Sequence, residues 1–166
     1  MSIHDWIVAL VVLQRLGELV HARRNTRRLL AEGAVEVGAD HYPLFILLHG
    51  AWLLALLLAV PEDAPLHWPL IGLFAALLAA RVWTIASLGK YWTTRIITLP
   101  GAPLIKRGPY RFLHHPNYLV VIAEIAILPL AFGAWEIALV FSLMNLLLLR
   151  HRVRVEEAAL SGRRAA

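Results

Sequence analysis

Five stretches of this chain carry almost nothing but apolar side chains: about Ile3 to Val20, Tyr42 to Val60, Trp68 to Leu88, Tyr118 to Phe132 and Trp135 to Leu149. Roughly 20 apolar residues make one helical crossing of a hydrocarbon core ~30 Å thick, so runs of this kind need lipid rather than water around them. With 166 residues, 60% hydrophobic against 16% charged, the chain is expected to be an all-α integral membrane bundle of about five transmembrane helices and little else. The last two stretches are short, and Gly133-Ala134 is expected to join them as a tight helical hairpin. Residues 1–166 read as a single domain, with no room for a separate soluble catalytic domain and no G-x-G-x-x-G fingerprint to suggest one. The first stretch does not read as a cleaved signal peptide: no basic residue precedes its apolar core, and Gln14, Arg15 and Glu18 interrupt it. It is expected to be a retained span.

Basic residues give an expected orientation. Arg23, Arg24, Arg27 and Arg28 follow the first stretch; Lys90, Arg95, Lys106, Arg107 and Arg111 follow the third; Arg150, Arg152, Arg154, Arg163 and Arg164 close the chain. The connector from Pro61 to His67 has Glu62 and Asp63 and no Lys or Arg. Five spans put the three basic segments on one side, which the positive-inside bias makes cytoplasmic, with the N-terminus outside. The same bias accounts for the net charge of +5 without a nucleic-acid partner.

Polar groups inside apolar stretches must be paired or line a cavity, because a charge at the membrane centre costs about 2.5–3.5 kcal/mol on insertion scales. Arg15 and Glu18 stand three residues apart and can pair along one helix face. Glu124 lies about two turns past Pro116, and Arg81 of the third stretch offers it a partner. His49, among leucines, reads as a hydrogen-bonded interhelical histidine. The segment Arg23 to His41 reads as a solvated loop at the headgroups or as an amphipathic interfacial helix ending near Gly33 or Gly38.

The chemistry must sit in the segment Lys90 to Tyr118, which is too polar to span and too aromatic for an idle linker. Pro100, Pro103, Pro109 and Pro116 stiffen it, while Gly101 and Gly108 permit turns. Pro116 suits the first position of the fourth helix, where its missing amide hydrogen would have no partner. His115 then takes the cap position, and the free amides and positive dipole end beside Arg111 and His114 form an anion site fit for a carboxylate. If the fifth helix continues past Leu149, Arg152 and Glu156 share one face. That spacing also suits a surface ion pair. A metal site is not expected: there are no cysteines, His114 and His115 diverge at a helix entry, and no H-x-x-x-H or E-x-x-H pair lies in a span. No serine sits in a nucleophile elbow.

The run Gly108-Pro-Tyr-Arg-Phe-Leu-His-His-Pro-Asn-Tyr118, followed by a short hairpin and then Arg152 to Glu156 with Glu157, resembles the isoprenylcysteine carboxyl methyltransferase family of integral membrane enzymes. Upstream, RRNTRRLLAEGAVEVGADHYP, Arg81-Val-Trp and LGKYWTTRIITLPGAPLIKRGPY are similar to its bacterial branch of alkylpyrone O-methyltransferases associated with type III polyketide synthases. The resemblance implies an S-adenosylmethionine-dependent O-methyltransferase in a bacterial inner membrane, with its cofactor in a cytoplasmic pocket built from about residues 90–166 and a lipophilic acceptor entering from the bilayer. It implies that Ala102, Pro103, Leu104, Ile105, Tyr110, His115, Pro116, Asn117, Tyr118 and Glu156 hold the cofactor, and that Arg152 lies near the acceptor. The usual R-H-P is here His114-His115-Pro116, and Ala102 replaces a customary polar residue.

A carboxylate or hydroxypyrone acceptor is anionic near neutral pH and needs only orientation by Arg152, whereas a phenol would need a base, for which His114, His151 and Glu124 are the candidates. The expected acceptor is a long-chain alkylpyrone or related polyketide, with a functional link to a polyketide synthase. Alternatives are a prenylcysteine carboxylate or a phospholipid amine. A sterol-type NADPH reductase shares an R-H-x-N-Y run but has more spans and a different continuation after Tyr118. A non-enzymatic membrane scaffold is the remaining class.

Overall fold

The computed structural model describes residues 2–102 and 105–164, with side chains as far as Ala159. Pro103 and Leu104, two residues of the expected cofactor segment, lie outside the described residues. Five helices form the body: α1 (Ile3–Ala31), α2 (Tyr42–Ala59), α3 (Trp68–Leu88), α4 (Pro116–Ala131) and α5 (Trp135–Arg164). Local signals set their ends. The Ser2 hydroxyl accepts from the Asp5 amide at 3.3 Å while the Asp5 carboxylate accepts from the Ser2 amide at 2.7 Å, a capping box that opens α1. Proline occupies the first turn of α2, α3 and α4. Gly133 and its neighbours turn α4 directly into α5, as the expected hairpin requires.

The expectation of about five transmembrane helices is overturned. Among the described residues, only two helical segments, Ala39–Ala59 and Trp68–Tyr91, are long and apolar enough to cross a membrane. The others fail for separate physical reasons. Asp5, Arg15 and Glu18 break the apolar run of α1, α4 has 16 residues, and the apolar part of α5 stops at Leu149 before Arg150, Arg152 and Arg154. A 16-residue helix is about 24 Å long, short of a ~30 Å core. The orientation inferred from five crossings loses its basis with them. Two apolar helices still suit a membrane, and large side chains such as Leu47, Leu58 and Leu147 lie on the outer surface, where water would be a poor neighbour.

The first half of segment Arg23–His41 is helical, since α1 runs unbroken to Ala31. Beyond it, β1 (Val35–Val37) pairs antiparallel with β2 (Ile96–Thr98), Val35 opposite Thr98 and Val37 opposite Ile96. Arg95 bonds Glu36 at 2.8 Å and Lys90 bonds Glu32 at 2.7 Å, so the polar connector is tied back onto the end of α1. The Lys90 ammonium holds the Glu32 carboxyl below its usual range.

The apolar core lies between α1, α2, α3 and the α4–α5 hairpin, around Val8, Trp52, Leu56, Ile125, Leu128 and Phe132. Beside it four charges meet. Arg81 of α3 donates through Nε to Glu124 Oε1 of α4 at 2.9 Å and through Nη2 to Oε2, and Arg15 of α1 reaches the same carboxylate at 2.7 Å while holding Glu18 at 3.0 Å. Glu124 is fully buried and Arg81 is 3% exposed. Arg15 thus pairs along its own helix, as its spacing suggests, and also across 109 residues of sequence. His49, read as an interhelical histidine, bonds within its own helix instead, to the Phe45 carbonyl at 2.8 Å.

A 3-10 turn at Gly108–Arg111 packs against α3 and aims Tyr110 inward. Gly108 has φ +55°, and a Cβ there would stand 2.1 Å from Ser87 Oγ, which already donates to the Trp83 carbonyl. Both the left-handed backbone and the contact demand glycine. Gly108→Ala is therefore expected to lower stability by about 1–3 kcal/mol and to displace Tyr110, read as a lower melting temperature.

Candidate functional site

The polar connector, the start of α4 and the second half of α5 converge on one cavity of about 1610 Å³. Its wall also includes Tyr42, Phe45 and His49 of α2, and Arg15, Glu18 and Arg81 from the charged cluster. The cavity runs from the connector down between the helices, with polar groups at both levels.

Tyr118 is central at the upper level. It sits in the first turn of α4, where Pro116 has no amide hydrogen and the Tyr118 and Leu119 amides turn back to the His115 carbonyl at 3.1 and 3.4 Å. Of the amides expected to bind an anion, only that of Asn117 therefore stands clear of this turn. The Tyr118 hydroxyl donates to Glu156 Oε2 and accepts from Arg152 Nε at 2.8 Å. The continuation of α5 past Leu149 is what presents both partners, four residues apart on one face. Arg152 Nη2 donates to the Thr94 carbonyl at 2.9 Å, and its Cζ lies 5.3 Å from the Phe45 ring and 5.8 Å from the Tyr118 ring. Nη1 has no hydrogen-bond partner among the described residues.

His115 stacks on Tyr118 at 5.2 Å between ring centroids, with Nδ1 3.9 Å from Glu156 Oε2 and Nε2 3.5 Å from Glu157 Oε1. Burial, reinforced by the Glu156 charge, pushes the phenols of Tyr110 and Tyr118 above their ordinary pKa. Both stay protonated near neutral pH, and Tyr118 remains a donor to Glu156 rather than a base.

Of the residues singled out in the sequence, Tyr110, His115, Tyr118, Arg152 and Glu156 come together, and Ala102, Ile105 and Asn117 line the same cavity. Pro116 is buried in the helix start and shapes the turn. His114 is exposed on the rim, with no bond to Arg152, Tyr118 or Glu156. Three participants went unseen in the sequence: Thr94, which contributes a backbone carbonyl, and Tyr42 and Phe45 on the first turns of α2. Tyr42 bonds Thr94 Oγ1 at 3.2 Å and lies under the Arg95 guanidinium at 4.5 Å. The three-residue spacing of Tyr42 and Phe45 was the available signal, but the same spacing marks any core-facing helix stripe.

A donor carrying an amino acid and a ribose needs hydrogen-bond acceptors in an enclosed wall. The described residues meet that demand: Asn117 Oδ1 is buried without a hydrogen-bond partner and Glu156 presents a carboxylate. No group of three or more His, Asp or Glu residues suited to a metal ion occurs among the described residues.

The sequence pattern of the isoprenylcysteine carboxyl methyltransferase family matches residues 70–162. The protein YpbQ of Bacillus subtilis, described only as uncharacterized, is 39% identical over 159 residues, covering 93% of this chain and 94% of its own. An uncharacterized protein of Haemophilus influenzae is 28% identical over 158 residues, covering 92% of each chain. No solved structure matches the chain.

Proposed function

Because the chain belongs to the isoprenylcysteine carboxyl methyltransferase family, and is on that ground an S-adenosylmethionine-dependent methyltransferase with a lipophilic, membrane-associated acceptor, we propose that it esterifies the carboxylate of a prenylated or otherwise lipid-borne acid. Family membership replaces the reductase and scaffold readings. The observation that carries the carboxylate is the relay Arg152–Tyr118–Glu156 inside the cavity. At its centre the site offers a guanidinium and a phenol kept protonated, a setting for a group already anionic at neutral pH.

In this reading residues 90–166 hold the donor. Glu156 and Asn117 accept hydrogen bonds from its ammonium or ribose hydroxyls, and the Asn117 amide at the start of α4 faces its carboxylate. Tyr110, His115 and Tyr118 wall it with aromatic rings, as Ala102 and Ile105 do with apolar surface. S-adenosylmethionine, when bound, supplies a methyl group on a positively charged sulfur, ready for in-line displacement. Arg152 Nη1 pairs with the acceptor carboxylate and fixes its line of attack, while Tyr118 and Thr94 fix Arg152. Phe45, Val121 and Leu149 keep water from the anion. His114, on the rim, serves entry rather than proton transfer. The concentration of arginine and lysine around this end supports a cytoplasmic site.

A long-chain alkylpyrone, the product type of a polyketide synthase, is the second reading, since its enolate makes the same demand on Arg152. The test is protein in lipid nanodiscs with methyl-labelled S-adenosylmethionine and three acceptors: an N-acetyl-S-prenylcysteine, an alkylpyrone and phosphatidylethanolamine. Label released by mild alkali from the prenylcysteine is expected. Alkali-stable label on the pyrone or the amine, or none with donor binding intact, overturns the carboxylate. Arg152→Lys, which keeps charge but loses the fixed fork, is expected to raise the acceptor KM at least tenfold and change donor affinity less than threefold.

A further inference from the structure

His49 is a polar group on the cavity wall that the methyl-transfer site as described does not use. It lies one turn, ~5.4 Å along α2, past Phe45, the ring on which the Arg152 guanidinium rests. The Phe45 and His49 ring centroids are 6.5 Å apart. The His49 Nδ1 contact at 2.8 Å is to a backbone carbonyl, which can only accept, so Nδ1 carries the hydrogen. In the neutral ring Nε2 is then a bare acceptor. The neighbouring guanidiniums of Arg15 and Arg81 already balance Glu18 and Glu124, so the cluster leaves no spare negative charge to favour an imidazolium. His49 itself lines the cavity, so its ring is open to a molecule bound there.

We propose that His49 Nε2 is a specificity-determining contact that accepts a hydrogen bond from an N–H or O–H group of the acceptor, a short distance down the molecule from the carboxylate held by Arg152. The acceptor class is thereby narrowed to lipid acids with a donor near the carboxyl group, such as N-acylated amino acids or hydroxy acids. A plain fatty acid would leave the imidazole nitrogen desolvated and unpaired, which is the arrangement that discriminates most strongly between ligands. Charge at this level of the cavity is already neutralised, so a second anionic group on the acceptor is disfavoured.

The inference rests on the carboxylate reading, and the test separates the two. N-dodecanoylglycine and N-dodecanoylsarcosine differ only in an amide N–H replaced by N–CH₃. Both are offered to the wild type, His49→Phe and His49→Gln, with two readouts: methyl transfer from labelled S-adenosylmethionine, and equilibrium binding in the presence of S-adenosylhomocysteine. The wild type is expected to prefer the glycine compound at least tenfold in both, His49→Phe to reduce that ratio below threefold, and His49→Gln, which retains an acceptor oxygen, to restore part of it. A ratio cancels any loss of folded protein. Equal treatment of the two compounds by the wild type, the same ratio in His49→Phe, or binding of neither compound overturns the role of His49. A His49-dependent binding preference without methylation leaves that role standing and overturns the carboxylate reading instead.

Discussion

Glu124→Ala is expected to destabilise the folded protein by about 3–5 kcal/mol, the range for removing one partner of a buried ion pair. The carboxylate is fully buried and receives both Arg81 and Arg15, so its removal leaves the Arg81 guanidinium with only a 3.4 Å contact to Glu18 in an interior that solvates charge poorly. Arg81 joins α3 to α4 and Arg15 joins α1 to the same point, which makes one carboxylate the meeting place of three helices. Thermal unfolding in detergent measures the loss. The double variant Arg81→Met with Glu124→Met is expected to recover most of it, because the remaining Arg15–Glu18 pair is balanced and methionine fills the volume. A double variant no more stable than Glu124→Ala would mean that packing at this site, and not unpaired charge, dominates.

The second large effect is expected at Glu156, through binding rather than folding. Its carboxylate accepts from Tyr118 and lies 3.9 Å from His115, and it is only partly buried, so Glu156→Gln should fold. Hydrogen bonds to charged groups contribute about 1.5–3 kcal/mol, which corresponds to roughly 10- to 150-fold in affinity. Titration calorimetry with S-adenosylhomocysteine is expected to show a loss in that range, and methyl transfer at fixed donor concentration to fall in parallel. Glu157→Gln, at a position half exposed on the same helix, is expected to change both by less than threefold. Unchanged affinity in Glu156→Gln would move the donor away from this face of α5. Tyr118→Phe provides the companion measurement: Arg152 loses its Nε partner but keeps the Thr94 carbonyl, so acceptor KM should rise more than donor affinity falls.

Particular residues show why some of this architecture was legible in advance. Pro116 after His115 announces a helix start by local sterics alone, and α4 begins there. The four-residue interval between Arg152 and Glu156 places both on one face once the helix is known to continue. Gly133 separates two helices because glycine accepts the turn there. Membrane crossing was a different matter. Five apolar runs look alike in sequence, whereas the helices differ in length and in embedded charge, and among the described residues only two satisfy both conditions. The charges of α1 that looked like an isolated pair are part of a tertiary cluster, and His49 satisfies its donor within its own helix.

Apolar patterning, prolines and helix spacing are local properties, and they determined the five helices, their main junctions and the neighbourhood in which an anion-binding site is expected. The folded arrangement decided what meets across long distances in sequence: Arg15 with Glu124, Thr94 with Arg152, Glu36 with Arg95, and Phe45 under the guanidinium that faces the cavity. None of these contacts has a sequence period, because each depends on how the helices rotate and cross. A backbone carbonyl such as that of Thr94 carries no side-chain signature at all, so only the packed structure reveals it as a partner.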